Sequence, residues 1–152
     1  ARIDFVSNGR IGGKGFEITF QSICGGNYTR ESGEILSPHY PEYLPDNTQC
    51  TWLIDPNFEN STKIITIIFE DVDLRDESMP GSRRLVLRDY SARRIVHIFT
   101  ENSEFAPKES FTIKGPAQIT FHSGNIYGTR KHSKRRFRIR WISKKCDQLI
   151  SL

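Results

Sequence analysis

Apolar side chains in this chain recur at every second position, in short runs broken by glycine, proline and asparagine. Near the C-terminus Phe137, Ile139 and Trp141 alternate with Arg138 and Arg140. Successive side chains of a strand point to opposite faces, so this spacing sends the apolar set to a core and the arginines to water. Similar spacing predicts strands over residues 34–36, 50–54, 85–87, 95–99, 111–113 and 119–121. Residues 64–69 are a continuous β-branched and aromatic run, expected to form a strand buried on both faces. SPHYPEYLP carries three prolines and no periodicity, which reads as an ordered loop, and DESMPGSRR is a second loop. No window shows a sustained apolar stripe of helical period, so the prediction is an all-β antiparallel sandwich.

The pattern repeats. Ile3, Phe5 and Ser7 correspond to Ile119, Phe121 and Ser123, and Phe16, Ile18 and Phe20 to Phe137, Ile139 and Trp141. Each stretch reads as strand, loop, strand, and then reaches a cysteine, Cys24 or Cys146. A repeat about 116 residues apart is the mark of tandem modules. The expected organisation is the closing hairpin of one module in residues 1–23 and a complete module in 24–143. Residues 144–152 are a linker or the start of a following module, with Cys146 as its first cysteine. An intermolecular bridge and a free thiol are the other readings of Cys146.

Composition alters this picture in two places. Ten Phe, five Tyr and two Trp against one Met favour strands. Charge is unevenly spread: residues 115–146 carry nine Lys or Arg and no acid, leaving 13 bases and 18 acids elsewhere. A basic end on an acidic body points to a directed electrostatic face. Three cysteines allow at most one internal bridge, and the sequons at Asn27 and Asn60 would accept N-glycans in the secretory pathway. Together they favour an extracellular location. No run approaches the roughly 20 apolar residues that span a bilayer.

CGG at residues 24–26, then SGEILSPHYPEYLPDNTQCTWLI, FEDVDL, ITFHS and a closing aromatic strand resemble, in that order, the CUB domain family. The resemblance rests on Ser32, Gly33, Ser37, Pro38, Tyr40, Pro41, Tyr43 (one residue off the usual spacing), Pro45, Cys50 and Trp52. It implies a jelly-roll-like sandwich, in a secreted protein or ectodomain, that binds other proteins. It also implies a Cys24–Cys50 disulfide. The family's second cysteine pair is missing, so Leu85, Leu87, Ile95 and Ile98 are expected to carry part of the lost constraint. Many CUB domains bind calcium through three acidic positions. Here Arg75 stands at the first, Ser82-Arg83-Arg84 covers the second, and Gly124 stands at the third. A hard cation wants anionic oxygens, so neither a metal nor any other cofactor is expected. Asp71, Asp73, Asp76 and Glu77 could form a different site, although acidic loops are usually only solvated.

The densest charge lies in RKHSKRRFRIRW, with seven Lys or Arg in twelve positions. Residues 128–136 are expected to form a hairpin tip. Arg130, Lys131, Lys134, Arg135 and Arg136 there, with Arg138 and Arg140 on the strand, are the candidate partner-binding residues. The set is either a solvated loop or a docking surface for acidic proteins or sulfated glycosaminoglycans. Nucleic acid is disfavoured, because the aromatics point inward and no recognition fold accompanies the charge. His39, His97, His122 and His132 show no metal spacing. No nucleophile elbow, phosphate cradle or catalytic carboxylate pair is present, so no catalytic residue and no enzyme activity are expected. Tyr40 and Tyr43 are either packed against the sandwich or interface anchors. The preferred function is a non-catalytic interaction module of a multi-CUB ectodomain, receptor-associated or co-receptor in kind, that contacts extracellular or membrane proteins and adjacent CUB modules. The alternatives are a targeting module of an extracellular protease and a glycosaminoglycan-binding adhesion module.

Overall fold

The computed structural model describes residues 4–6, 8–10, 12–18, 24–56, 62–75, 83–103, 108–124 and 135–146. Every regular element among them is a strand, and none is a helix that could cross a membrane. One sheet contains β1 (Gly26–Tyr28), β3 (Gln49–Ile54), β5 (Arg83–Asp89), β6 (Arg94–Thr100) and β8 (Ala117–Ser123), in the order β1-β3-β8-β5-β6. The other contains β2 (Ser32–Leu36), β4 (Thr62–Asp73), β7 (Glu109–Lys114) and β9 (Arg136–Cys146), in the order β2-β9-β4-β7. All pairings are antiparallel except the short β1–β3 contact, which is parallel. Two facing sheets enclose one core, the jelly-roll-like sandwich that the alternation predicts.

The alternation is realised most cleanly on β8 and β9, where Ile119, Phe121, Phe137, Ile139 and Trp141 are buried. Three sequence expectations need correction. The strand over 64–69 extends to Asp73 and is not buried on both faces: Ile65, Ile67 and Phe69 enter the core, while Ile64, Thr66 and Ile68 are half-buried on the outer face. Ile95 and Ile98 do not replace the missing staple, being 48% and 44% exposed. A bulge at Leu87/Arg88 shifts the register between β5 and β6, so Phe99 and Val96 reach the core instead. Residues 4–6, 8–10 and 12–18, expected as two strands, contain no strand.

β1 was not expected, because Gly-Asn-Tyr carries no periodicity. It exists because the Cys24–Cys50 disulfide, with Cα atoms 5.4 Å apart, brings the chain beside β3. Gly25 permits the approach: its φ is +100°, and a Cβ there would lie 2.8 Å from the Thr51 carbonyl oxygen. Two serines fasten the proline-rich loop. Ser37 N–H donates to the Phe137 carbonyl (2.9 Å) and Ser37 Oγ accepts from Phe137 N–H (3.2 Å). Ser123 Oγ donates to the Pro45 carbonyl (2.8 Å) and accepts from Thr48 N–H (3.0 Å). These bonds satisfy backbone groups that a loop lying on the core would otherwise leave unpaired.

Candidate protein-docking surface

Strand β9 carries the basic residues that the sequence singles out, and it is central in its sheet, pairing with β2 on one side and β4 on the other. Arg136, expected as the last residue of the hairpin tip, instead begins this strand opposite Asp73. Arg135 is half-buried just before the strand; Arg130, Lys131 and Lys134 lie outside the described residues.

The arginines on the strand face outward as expected, but onto carboxylates as well as water. Arg138 Nε donates to Glu34 of β2 and lies 3.3 Å from Glu70 of β4. Arg140 reaches the same Glu70 at 3.0 Å. Arg136 Nε donates to Asp71, which also accepts the Tyr40 hydroxyl at 3.3 Å. Three guanidiniums thus meet three carboxylates, and the group sums to zero charge. The bonded carboxylates, Asp71 for Arg136 and Glu34 for Arg138, raise guanidinium pKa values that are already high. Solvent screens exposed pairs of this kind, so they fix β9 between its neighbours rather than dominate stability.

The loop end of the sandwich nearest this network is where the family resemblance implies calcium ligands. Arg75 grips Asp73 with a two-pronged contact, Nε to Oδ1 at 2.9 Å and Nη2 to Oδ2 at 2.8 Å. Arg83, only 2% exposed, bonds to Asp46 at 2.9 Å. Of the different acidic set suggested by the sequence, Asp71 and Asp73 are each engaged by an arginine, and Asp76 and Glu77 lie outside the described residues. Among the described residues no group of three or more His, Cys, Asp or Glu is placed to hold a metal. Fixed guanidiniums at this end repel a hard cation.

The hydrogen bond from Arg75 holds the Asp73 carboxyl below the usual carboxylate range, against the opposing effect of burial. A group with a lowered folded pKa binds fewer protons when folded. It therefore contributes stability above its unfolded pKa, near 3.9, and that stability is lost as pH falls through the folded value. In an NMR titration, Arg75→Ala is expected to return Asp73 toward the ordinary range and remove its share of acid sensitivity. An unchanged Asp73 midpoint would show that another cation sets it.

The remaining sequence candidates are placed as follows. His97 packs on Phe99 and Phe111, with ring centroids at 4.4 and 4.8 Å, and lies 3.5 Å from Glu109, as a structural histidine. Tyr40 is half-buried, whereas Tyr43 is exposed and stacks on His39 at 4.6 Å. Asn27 is exposed on the edge strand β1, and Asn60 lies outside the described residues. Charge density alone missed Arg84, Arg88, Arg93 and Arg94 as a second basic group. The signal for the last three was the run RDYSARR, residues 88–94, which joins two strands.

Comparison with known proteins agrees with this architecture. The chain is 32% identical over 166 residues to the cubilin homolog of Caenorhabditis elegans, covering 99% of this chain and 4% of that protein. It is 36% identical over 83 residues to Neuropilin-1 of Homo sapiens, covering 51% of this chain and 9% of that one. The chain thus spans a small fraction of these relatives. In fold it is similar to the crystal structure of the MASP-1 CUB2 domain bound to Ca2+, with a TM-score of 0.55 and 21% identity over 78% of this chain and 98% of that one. The CUB domain family itself matches residues 24–141. That match takes in the Cys24–Cys50 bridge, the proline-rich loop and the first half of the closing strand of the two-sheet sandwich, and makes this chain a member of the CUB domain family.

Proposed function

We propose that the chain is a non-catalytic, extracellular protein-interaction module from an array of CUB domains, and that it docks partners through the tip of the β8–β9 hairpin. The observation that carries the docking element is the anchoring of β9. Glu34, Glu70 and Asp71 neutralise Arg136, Arg138 and Arg140. Of the candidate partner-binding residues, this leaves the charge of Arg130, Lys131 and Lys134, which precede a strand held from both sides. Such a tip suits acidic protein surfaces and sulfated glycosaminoglycans.

The array reading is supported by a pair of rings. Phe5 and Phe16 lie 5.0 Å apart at 54°, and their repeat counterparts Phe121 and Phe137 lie 5.2 Å apart at the same angle. The counterparts are fully buried, while Phe5 and Phe16 are 69% and 60% exposed. Core-facing residues in that state belong to a hairpin whose own sandwich covers them. On this reading residues 1–23 close a preceding module and Cys146 opens a following one. Asn27 and Asn60 would carry N-glycans.

Capture from surface-biotinylated membranes tests the docking element, using the native chain and a variant with Arg130, Lys131 and Lys134 replaced by serine. A protein bound by the native chain and lost at least tenfold in the variant, with retention that falls as salt rises, is the expected result. Equal capture by both chains would remove the tip from the reading.

A further inference from the structure

The neutralised face belongs to the four-stranded sheet; the outer face of the five-stranded sheet is different. On β5, Leu85 and Leu87 point into the core, so Arg84, Val86 and Arg88 point outward. Val86 is only 5% exposed yet lies outside the core cluster, as expected for a side chain roofed by neighbours on the outer face. Its partner across the sheet is Ile98, and that of Arg88 is Ile95, both among the exposed large apolar residues. The other outward positions, on β3, β8 and the end of β6, are glutamine, threonine, leucine and histidine. Among the described residues this face holds no carboxylate. Among the described residues no ion pair engages Arg84, Arg88 or Arg93 there.

At one end the face opens into a cleft of about 650 Å³ lined by Arg88, Arg93, Tyr90 and Gln118 among others. The acid in its wall, Asp89, is 7% exposed, and its Oδ1 accepts the Ala92 N–H at 3.0 Å. The cleft is rigid. Tyr90 N–H donates to the Pro116 carbonyl at 3.0 Å, and a Cβ on Gly115 would lie 2.9 Å from Ser91 Oγ, so the β5–β6 and β7–β8 turns are in close contact.

We infer that this face is a second docking surface, and that its occupant is an extended acidic segment of a partner protein. The row Arg84, Val86, Arg88 sets the complement. Its two guanidinium-bearing positions are four residues apart, about 13 Å along a strand. An extended partner with the same period presents acid, apolar residue and acid at alternate positions, Glu-x-Ile-x-Glu in form. Each guanidinium offers a planar fork to a carboxylate. The central apolar side chain covers Val86, Ile98 and Ile95, and Arg93 with Tyr90 closes over the terminal acid. A polysulfated glycan would satisfy the arginines but leave the isoleucines wet. The alternation of cation and apolar group therefore favours peptide.

Titration by calorimetry and by amide chemical shift tests this with a capped peptide, Thr-Glu-Thr-Ile-Thr-Glu-Thr, and its scrambled isomer. The native chain is expected to bind the patterned peptide with a dissociation constant on the order of 100 μM, and the scrambled one at least fivefold more weakly. Shifts should map to β5, β6 and Gln118. Arg84→Glu with Arg88→Glu should weaken binding at least tenfold, and Ile98→Asp similarly; Arg84→Gln with Arg88→Gln serves if the acidic pair lowers the melting temperature. The serine tip variant should bind normally, which separates this surface from the hairpin docking reading. No saturable binding, equal binding of both peptides, or loss in the tip variant would overturn the proposal. Heparin binding lost in the Arg84/Arg88 variants, without peptide binding, would overturn it in favour of a glycan.

Discussion

Replacing Cys24 and Cys50 together by alanine is expected to lower stability by about 3.5 kcal/mol. The two cysteines are 26 residues apart, and the bridge removes the corresponding loop-closure entropy from the unfolded chain. For a domain of this size the loss corresponds to roughly 10–15 °C in melting temperature. Two features make the effect large here. The second cysteine pair implied by the family resemblance is absent, and Ile95 and Ile98, expected to compensate, are exposed. The only strand pairing of β1 is a three-residue parallel contact with β3, so it should detach first. Thermal melts followed by fluorescence of Trp52, on the strand that β1 leaves, check both points. A loss below about 1 kcal/mol would mean that sandwich packing alone sets the register of this edge.

Gly33→Ala is expected to cost about 2–3 kcal/mol, the upper part of the range for overpacking a core. Gly33 lies opposite Trp141 in the β2–β9 ladder, and a Cβ there would sit 2.1 Å from Trp141 Cη2 and 2.3 Å from Cζ2. The indole cannot move freely. Its Nε1–H donates to the Arg30 carbonyl at 3.2 Å, and Tyr28 packs on it at 4.9 Å. Tilting the ring breaks those contacts and opens space elsewhere in a core where Trp141 is 2% exposed. The measurement is a melt accompanied by near-ultraviolet circular dichroism, which reports the indole environment. Gly12→Ala, where nothing lies within 4 Å and φ is unremarkable, is the control and should be neutral. Equal stability of the two variants would show that β2 can slide away from β9 at little cost.

Most of the candidate site was legible only as a list of residues. Period-two alternation correctly assigned Arg138 and Arg140 to the outer side of a strand, because side-chain direction in a strand is a local property. It could not assign their partners. Arg138 meets Glu34 across 104 residues and Arg140 meets Glu70 across 70, and those pairings depend on β2 and β4 flanking β9. A row that looked like a free basic stripe is therefore neutral in its middle. RDYSARR drew no notice, yet once β5, β6 and β8 are side by side Arg84 and Arg88 share a sheet face that holds no carboxylate among the described residues.

The fold class, the course of the closing strand and the inward set Phe137, Ile139 and Trp141 were settled by the sequence itself, since alternation and turn residues act over a few positions. The repeat that aligns Phe5 with Phe121 and Phe16 with Phe137 is likewise a feature of the sequence alone. Tertiary structure alone decided the remainder. It made a strand of Gly26–Tyr28 by tying it to β3, and placed bulges at Phe69/Asp71 and Leu87/Arg88 that redirect neighbouring side chains. It also chose which of the chain's arginines meet acids. Strand order brings together residues that are distant in sequence, and electrostatic balance is a property of the assembled face, so neither can be read from a local pattern.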